Sequence, residues 1–187
     1  METRDRLIAA TQELLWERGY AATSPKDIQA VAAAGQGSMY HHFQNKEGLA
    51  VAALEHSAVR MRGETEALMS GPGTAVERLE GYLMRQRDSL RGCRMGRMTF
   101  DPDVVASAAL LQPVASTLGW LVKTLADVVQ SGIDSGELAA DLDAVQLSST
   151  IVAVVQGGYV LARAQGDTAP FDAAVHGAVS LLERAGA

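Results

Sequence analysis

The sequence predicts an all-α protein, and three observations carry that expectation. Aromatic residues make up only 5% of the 187-residue chain and proline occurs 5 times, while alanine and glycine abound. Such a composition suits close-packed helices better than the β-branched and aromatic surfaces of sandwiches or barrels. Apolar residues recur at helical rather than alternating spacing. Hydrophobic residues reach 48%, enough to build a core for one moderately large domain or one domain with a small appendage.

About nine helices can be placed. From Thr3 to Arg18 the residues Leu7, Ile8, Leu14 and Leu15 form an apolar face opposite Arg4, Arg6, Glu13 and Glu17, and Gly19 ends the helix. In TSPKDIQAV, Ser24 suits an N-cap, Pro25 the first helical position and Asp27 the reciprocal place in a capping box. This second, short helix does not extend far past Ala33, because Gly35 and Gly37 weaken helix. A third resumes from Ser38 to Phe43, with Met39 and Phe43 at i, i+4. Asn45 caps a fourth, NKEGLAVAALEHSAVRMRGETEALM, about 36 Å long at roughly 1.5 Å per residue. SGPGT, Ser70 to Thr74, is a loop that opens a fifth helix running to about Arg91. Asp101-Pro102 starts a sixth and Pro113 a seventh, and SGIDSGELAADLD, Ser131 to Asp143, is a polar break. The last two helices are Ala144 to Gln165 and, after GDTAP, Pro170 to Ala185.

The net charge of −6 and pI near 5.2 argue against a surface coated in basic groups, and so against non-specific nucleic-acid binding as the main activity. The first 50 residues are nearly neutral, which leaves most of the acidity downstream. A single cysteine, Cys93, excludes an intrachain disulfide, and METRDRLIAA lacks the pattern of a signal peptide. No uncharged apolar run is expected to reach the roughly 18 residues of a membrane span. A cytosolic, soluble chain is the expectation.

One stretch, AAAGQGSMYHHF from Ala32 to Phe43, asks for a chemical explanation. A dinucleotide loop needs a third glycine where Tyr40 stands and a strand before it, and no Lys-Ser/Thr pair follows for a P-loop. GQGSM is not the G-x-S-x-G elbow of a nucleophilic serine. His41 and His42 are adjacent, about 100° apart on a helix, with no cysteine nearby, and His56 and His176 stand alone, so no metal site is expected. Two short helices joined by a small-residue turn, however, form a helix-turn-helix, whose second helix enters the DNA major groove. Glycine at 35 and 37 lets backbone approach base edges and phosphates. Gln36 can pair bidentately with adenine, Ser38 can bond base or phosphate, and Tyr40 and His41 reach phosphates.

The helix ending LLWERGY, the following ATSPKDI, the block GSMYHHF and the NKEGL that opens the fourth helix together resemble the DNA-binding domain of the TetR family of bacterial repressors. The resemblance implies that Thr23, Ser24 and Lys26 lie near a phosphate at the start of the second helix. It also implies that Gln36, Gly37, Ser38, Tyr40 and His41 lie on the recognition helix, that Phe43 packs beneath it, and that Lys46 touches the DNA backbone. Two departures stand out: the usual Ala-Gly-Val turn reads Ala33-Ala34-Gly35, and a position often occupied by lysine is Gln36. Loss of that lysine should lower the salt slope of binding by about one unit.

By the same resemblance, residues 1–48 form the DNA-binding domain and 49–187 a helical effector-binding and dimerisation domain. SLRGCRMG and VAVVQGGYVLARA are similar to the LmrA/YxaF-like branch, which implies a hydrophobic or aromatic effector. Candidate pocket residues are Tyr82, Met95, Met98, Phe100, Trp120, Gln156 and Tyr159, adaptable or polar-tipped side chains on apolar helices. Ile151, Val154, Val155, Gly158 and Leu161 on one terminal helix, and Val175, Ala178, Val179 and Leu182 on the other, are candidates for a four-helix dimer interface. Arg85, Arg87, Arg91, Arg94 and Arg97 crowd the end of the fifth helix, where they complement the helix dipole or hold an acidic effector, and Cys93 among them is a candidate redox thiol. The expected partners are a double-stranded DNA operator, a small-molecule effector and a second copy of the chain, with no cofactor and no membrane. An enzyme that keeps a helix-turn-helix for structural reasons would need a catalytic constellation, and the sequence offers none.

Overall fold

The computed structural model describes residues 2–185. Among them are ten helices and no strand: α1 (Thr3–Arg18), α2 (Pro25–Ala32), α3 (Gln36–His42), α4 (Lys46–Met69), α5 (Ala75–Met84), α6 (Arg94–Met98), α7 (Pro102–Ala106), α8 (Ala108–Asp134), α9 (Ala144–Gln165) and α10 (Ala169–Arg184). The all-α expectation holds, with one helix more than the spacing suggested.

Helix α3 begins at Gln36 rather than Ser38, and α8 runs to Asp134, into the expected polar break; two further differences each have a local reason. The fifth helix stops at Met84 rather than Arg91 because the Arg87 guanidinium turns back and donates to the carbonyls of Tyr82, Leu83 and Arg85. Those are carbonyls that a helix end leaves without partners, so the arginine substitutes for another turn. The chain then re-enters helix at α6, whose N-cap is Cys93, with its Sγ accepting the Gly96 N–H at 3.2 Å. Pro113 does not begin a helix but lies inside α8, which starts after Ser107; that hydroxyl accepts the Leu110 N–H at 3.3 Å. A proline here forfeits one backbone bond, and the cap six residues earlier starts the helix regardless.

The chain packs as two compact units. The first comprises residues up to Met61 together with Cys93–Leu118, and the second Arg62–Gly92 with the residues from Gly119 onward. In the first, Leu7, Ile8, Leu14 and Leu15 of α1 meet Ile28, Met39, Phe43, Leu49, Met95, Met98, Val104 and Leu110 in one apolar cluster. In the second, α9 and α10 lie side by side, and Gly158 is the reason they approach closely. A Cβ there would come within 2.9 Å of the Phe171 ring, which stacks on Tyr159 with centroids 4.9 Å apart.

The expectation about uncharged runs needs correction: α9 is long and apolar enough to cross a membrane by length and composition. Its apolar content serves two faces. Ile151, Val152, Val155 and Tyr159 turn inward, while Val145, Val160 and Leu161 stay exposed.

The turn between α2 and α3 closes with Ala33 in the left-handed region at φ 48°, the one non-glycine residue with positive φ among those described. Ala33 N–H donates to the Ala30 carbonyl at 3.3 Å and Ala34 N–H to the Gln29 carbonyl at 3.0 Å, the paired bonds of a Schellman cap. Glycine usually occupies such a position, and alanine there carries about 1–2 kcal/mol of strain. Ala33→Gly is therefore expected to stabilise the protein by about 0.5–1 kcal/mol, the relief of strain less the freedom glycine adds to the unfolded chain. Urea denaturation measures this, and a lowered midpoint would show that Ala33 is unstrained.

Candidate nucleic-acid interface

The interface is assembled from two short helices and the turns that flank them. Helix α2 begins with a complete capping box. Ser24 Oγ accepts the Asp27 N–H at 3.2 Å, and the Asp27 carboxylate accepts the Ser24 N–H at 2.9 Å and its hydroxyl at 2.7 Å. These bonds, the Ser24 hydroxyl's first, and then Arg18 at 3.7 Å, hold the Asp27 carboxyl below its ordinary value of about 3.8. A depressed folded-state value means that the cap stabilises the fold above the ordinary aspartate range and is lost as pH falls through the lowered one.

Helix α3 has only seven residues, too few to be stable alone. It is held from below: Met39 is fully buried, Phe43 nearly so, and Gln29 Nε2 lies 3.6 Å from the Met39 sulfur. With Met39 and Phe43 inward, Gln36, Gly37, Ser38, Tyr40, His41 and His42 are all exposed. The expected reading residues thus share one solvent-facing surface. A Cβ at Gly35 or Gly37 would meet nothing within 4 Å, so no contact inside the chain requires glycine at either place. Helix α3 carries no lysine or arginine, and its only titratable side chains are Tyr40, His41 and His42, the two imidazoles 5.1 Å apart in an edge-on arrangement.

The flanking candidates divide. Ser24 and Lys26 are exposed at the start of α2. Thr23 is buried, and its hydroxyl donates to the Gly19 carbonyl at 2.6 Å, so this side chain is spent on the turn. Lys46 Nζ donates to the Tyr20 carbonyl at 2.7 Å and sits 3.8 Å from the centroid of the Tyr20 ring. Burial lowers the Lys46 pKa, with Asp103 and Asp101 opposing that shift. Arg4, whose guanidinium lies 5.6 Å from the Phe43 ring centroid, is a cation at this surface that helical spacing did not single out.

The pocket candidates are divided between the two units. Met95 and Met98 are core residues of the first unit, and Phe100 is 79% exposed, so it lines no interior. Tyr82, Trp120, Gln156 and Tyr159 belong to the second unit, where Tyr82 and Tyr159 are buried, Trp120 and Gln156 are half-buried, and Arg62 lies 5.6 Å from the Trp120 ring centroid. The arginine cluster is partly engaged within the chain: Arg85 with Glu64 at 3.6 Å, Arg87 in capping α5, and Arg94 with Glu13 at 2.6 Å.

The interface candidates also need correction. Ile151, Val155, Gly158, Val175 and Leu182 are buried within the chain, where they finish its own core; Val154, Ala178 and Val179 are half-buried, and Leu161 alone is exposed. The outward faces carry a different set with a shared spacing: Ala153, Gly157 and Leu161 on α9, and Ala173, Gly177 and Leu181 on α10. Small-x-x-x-Gly-x-x-x-Leu thus recurs on the outward side of both helices, opposite a more hydrophobic inward stripe.

Comparison with known proteins matches this arrangement. A family model described as bacterial regulatory proteins, tetR family, covers residues 7–53, and one described as tetracyclin repressor-like, C-terminal domain, covers residues 75–178. The HTH-type transcriptional repressor NemR of Escherichia coli is 32% identical over 99 residues, and the match spans 49% of this chain and only 50% of that relative's length. The HTH-type transcriptional repressor DhaR of a Mycobacterium species is 24% identical over 172 residues, covering 90% of this chain and 86% of that one. Among solved structures, a TetR transcriptional regulator from Chloroflexus aurantiacus superimposes with a TM-score of 0.87 at 26% identity, over 99% of this chain and 96% of that one. With a helix-turn-helix at its N-terminus, a second helical region behind it and both family models matched in order, the chain belongs to the tetR family of DNA-binding bacterial regulatory proteins.

Proposed function

We propose that this regulator is a repressor that binds a palindromic operator as a homodimer and leaves it when a small, hydrophobic or aromatic molecule binds. The observation that carries the reading is the exposed face of α3, free of lysine and arginine, where Gln36, Ser38, Tyr40 and His41 surround a glycine with open space above it. Backbone can approach the groove there, Gln36 can pair with adenine, and the tips of Tyr40 and His41 can reach phosphates. Lys26 and Ser24 supply flanking phosphate contacts. The names of the NemR and DhaR relatives support repression rather than activation.

Dimerisation draws support from the outward faces of α9 and α10. A Cβ at Gly157 or Gly177 would meet nothing within 4 Å, so neither glycine is needed for packing within the chain. Flanked by Ala153, Leu161, Ala173 and Leu181, they make a smooth apolar surface that a second copy would cover as a four-helix bundle. Two copies present two recognition helices, which fits paired half-sites. In this reading, residues 1–48 read DNA and 49–187 hold the effector and the dimer contact, in the cytoplasm and away from any membrane. The effector acts by binding the released state more tightly than the DNA-bound one.

Selection of bound duplexes from a random library at a stated salt concentration tests the operator reading. Enrichment of a two-fold-symmetric site is expected, and enrichment of no site by folded protein would contradict it. On the selected site, Tyr40→Ala is expected to weaken binding about 5–10-fold, the worth of one hydrogen bond of roughly 1 kcal/mol or slightly more, while the urea midpoint stays unchanged because the side chain is 45% exposed. Unaltered affinity would remove Tyr40 from the contact surface.

A further inference from the structure

Asp101 has a carboxylate whose two oxygens do different jobs. Oδ1 accepts the N–H groups of Asp103 at 3.1 Å and Val104 at 3.4 Å, the usual work of an N-cap at the start of α7. Oδ2 accepts two N–H groups from a point 80 residues away in sequence: Tyr20 at 2.7 Å and Ala21 at 2.9 Å, in the turn between α1 and α2. The side chain is only 9% exposed, so these bonds are sheltered from water. The turn is shaped to receive it. Gly19 has φ 86°, and a Cβ there would come within 2.9 Å of Oδ2.

The same peptide segment is gripped from its other side, because Lys46 Nζ donates to the Tyr20 carbonyl at 2.7 Å. Tyr20 is thus held at its N–H by α7's cap residue and at its carbonyl by the first residue of α4. Three residues on, Thr23 closes the turn through its bonds to Gly19 and Tyr20, and Ser24 and Lys26 follow at the start of α2. Nothing in the capping of α7 requires the second pair of bonds. A serine or asparagine would cap that helix as well as an aspartate, but only the carboxylate supplies a full acceptor to each partner.

From this geometry we infer that Asp101 is a positioning residue for DNA binding. By fixing the Tyr20–Ala21 peptides it sets where α2 begins and so where Ser24 and Lys26 meet the phosphate backbone. The inference rests on the operator reading above, since it takes that face of α2 to lie against DNA.

Asp101→Ser separates the two jobs. Its hydroxyl keeps the cap on α7 and is too short to reach the turn. Amide hydrogen exchange on the protein alone should then show faster exchange at Tyr20 and Ala21 with protection at Val104 retained. On the selected operator, affinity should fall about tenfold and the dependence of log affinity on log salt should lose about one unit, the signature of one phosphate contact withdrawn. A residue that merely stabilised the fold would lower the urea midpoint and leave the salt slope of the folded protein untouched. Wild-type affinity and slope in Asp101→Ser, or unchanged exchange at Tyr20 and Ala21, would overturn the inference alone. Failure of the wild-type protein to bind any duplex would overturn the operator reading and the inference with it.

Discussion

The reading surface depends on the burial of Met39 and Phe43. A seven-residue helix cannot pay for its own nucleation, so α3 exists because two of its apolar side chains complete a core supplied by α1, α2 and α4. That dependence also orients it. With residues 39 and 43 directed inward, positions 36, 37, 38, 40 and 41 are left on the solvent side of α3.

Charge then decides what kind of contact this surface makes. The protein as a whole is acidic, at −6, and α3 has no lysine or arginine. Long-range attraction to a polyanion is therefore weak, and in the proposed reading discrimination falls to hydrogen bonds from Gln36, Ser38 and Tyr40. Cations near the surface are few and partly committed: Lys46 is drawn toward the Tyr20 carbonyl and ring, and Arg18 toward Asp27. A regulator built this way relies on the placement of a small number of groups, which is why the turns that hold α2 and α3 matter as much as the helices themselves.

Much of the fold was legible because its signals are local. Ser24, Pro25 and Asp27 spelled out the start of α2, and the Met39–Phe43 pair gave the inward face of α3. The failures share a cause, namely contacts that sequence spacing does not encode. Arg87 ends α5 early by folding back on its carbonyls, which looks from the sequence like one more basic residue in a helical run. Contacts of the same kind, equally absent from the spacing, join Thr23 and Lys46, which family resemblance places at the DNA, to Gly19 and Tyr20 of the same chain. On α9 and α10 the more hydrophobic stripe was taken for the outer one, yet the most apolar face of a helix pair is the one the chain buries first. Phe100, a pocket candidate among apolar helices, is exposed, and a single apolar side chain at the surface needs no special explanation.

The most direct measurement of the central claim is residue-resolved amide exchange, free and bound to the selected duplex. The account predicts that added protection concentrates in residues 36–42 and at the start of α2 around Ser24 and Lys26, with the outward faces of α9 and α10 unchanged by DNA. Protection that appeared on α9 and α10 instead, with residues 36–42 exchanging as in the free protein, would mean that the exposed face of α3 does not read DNA.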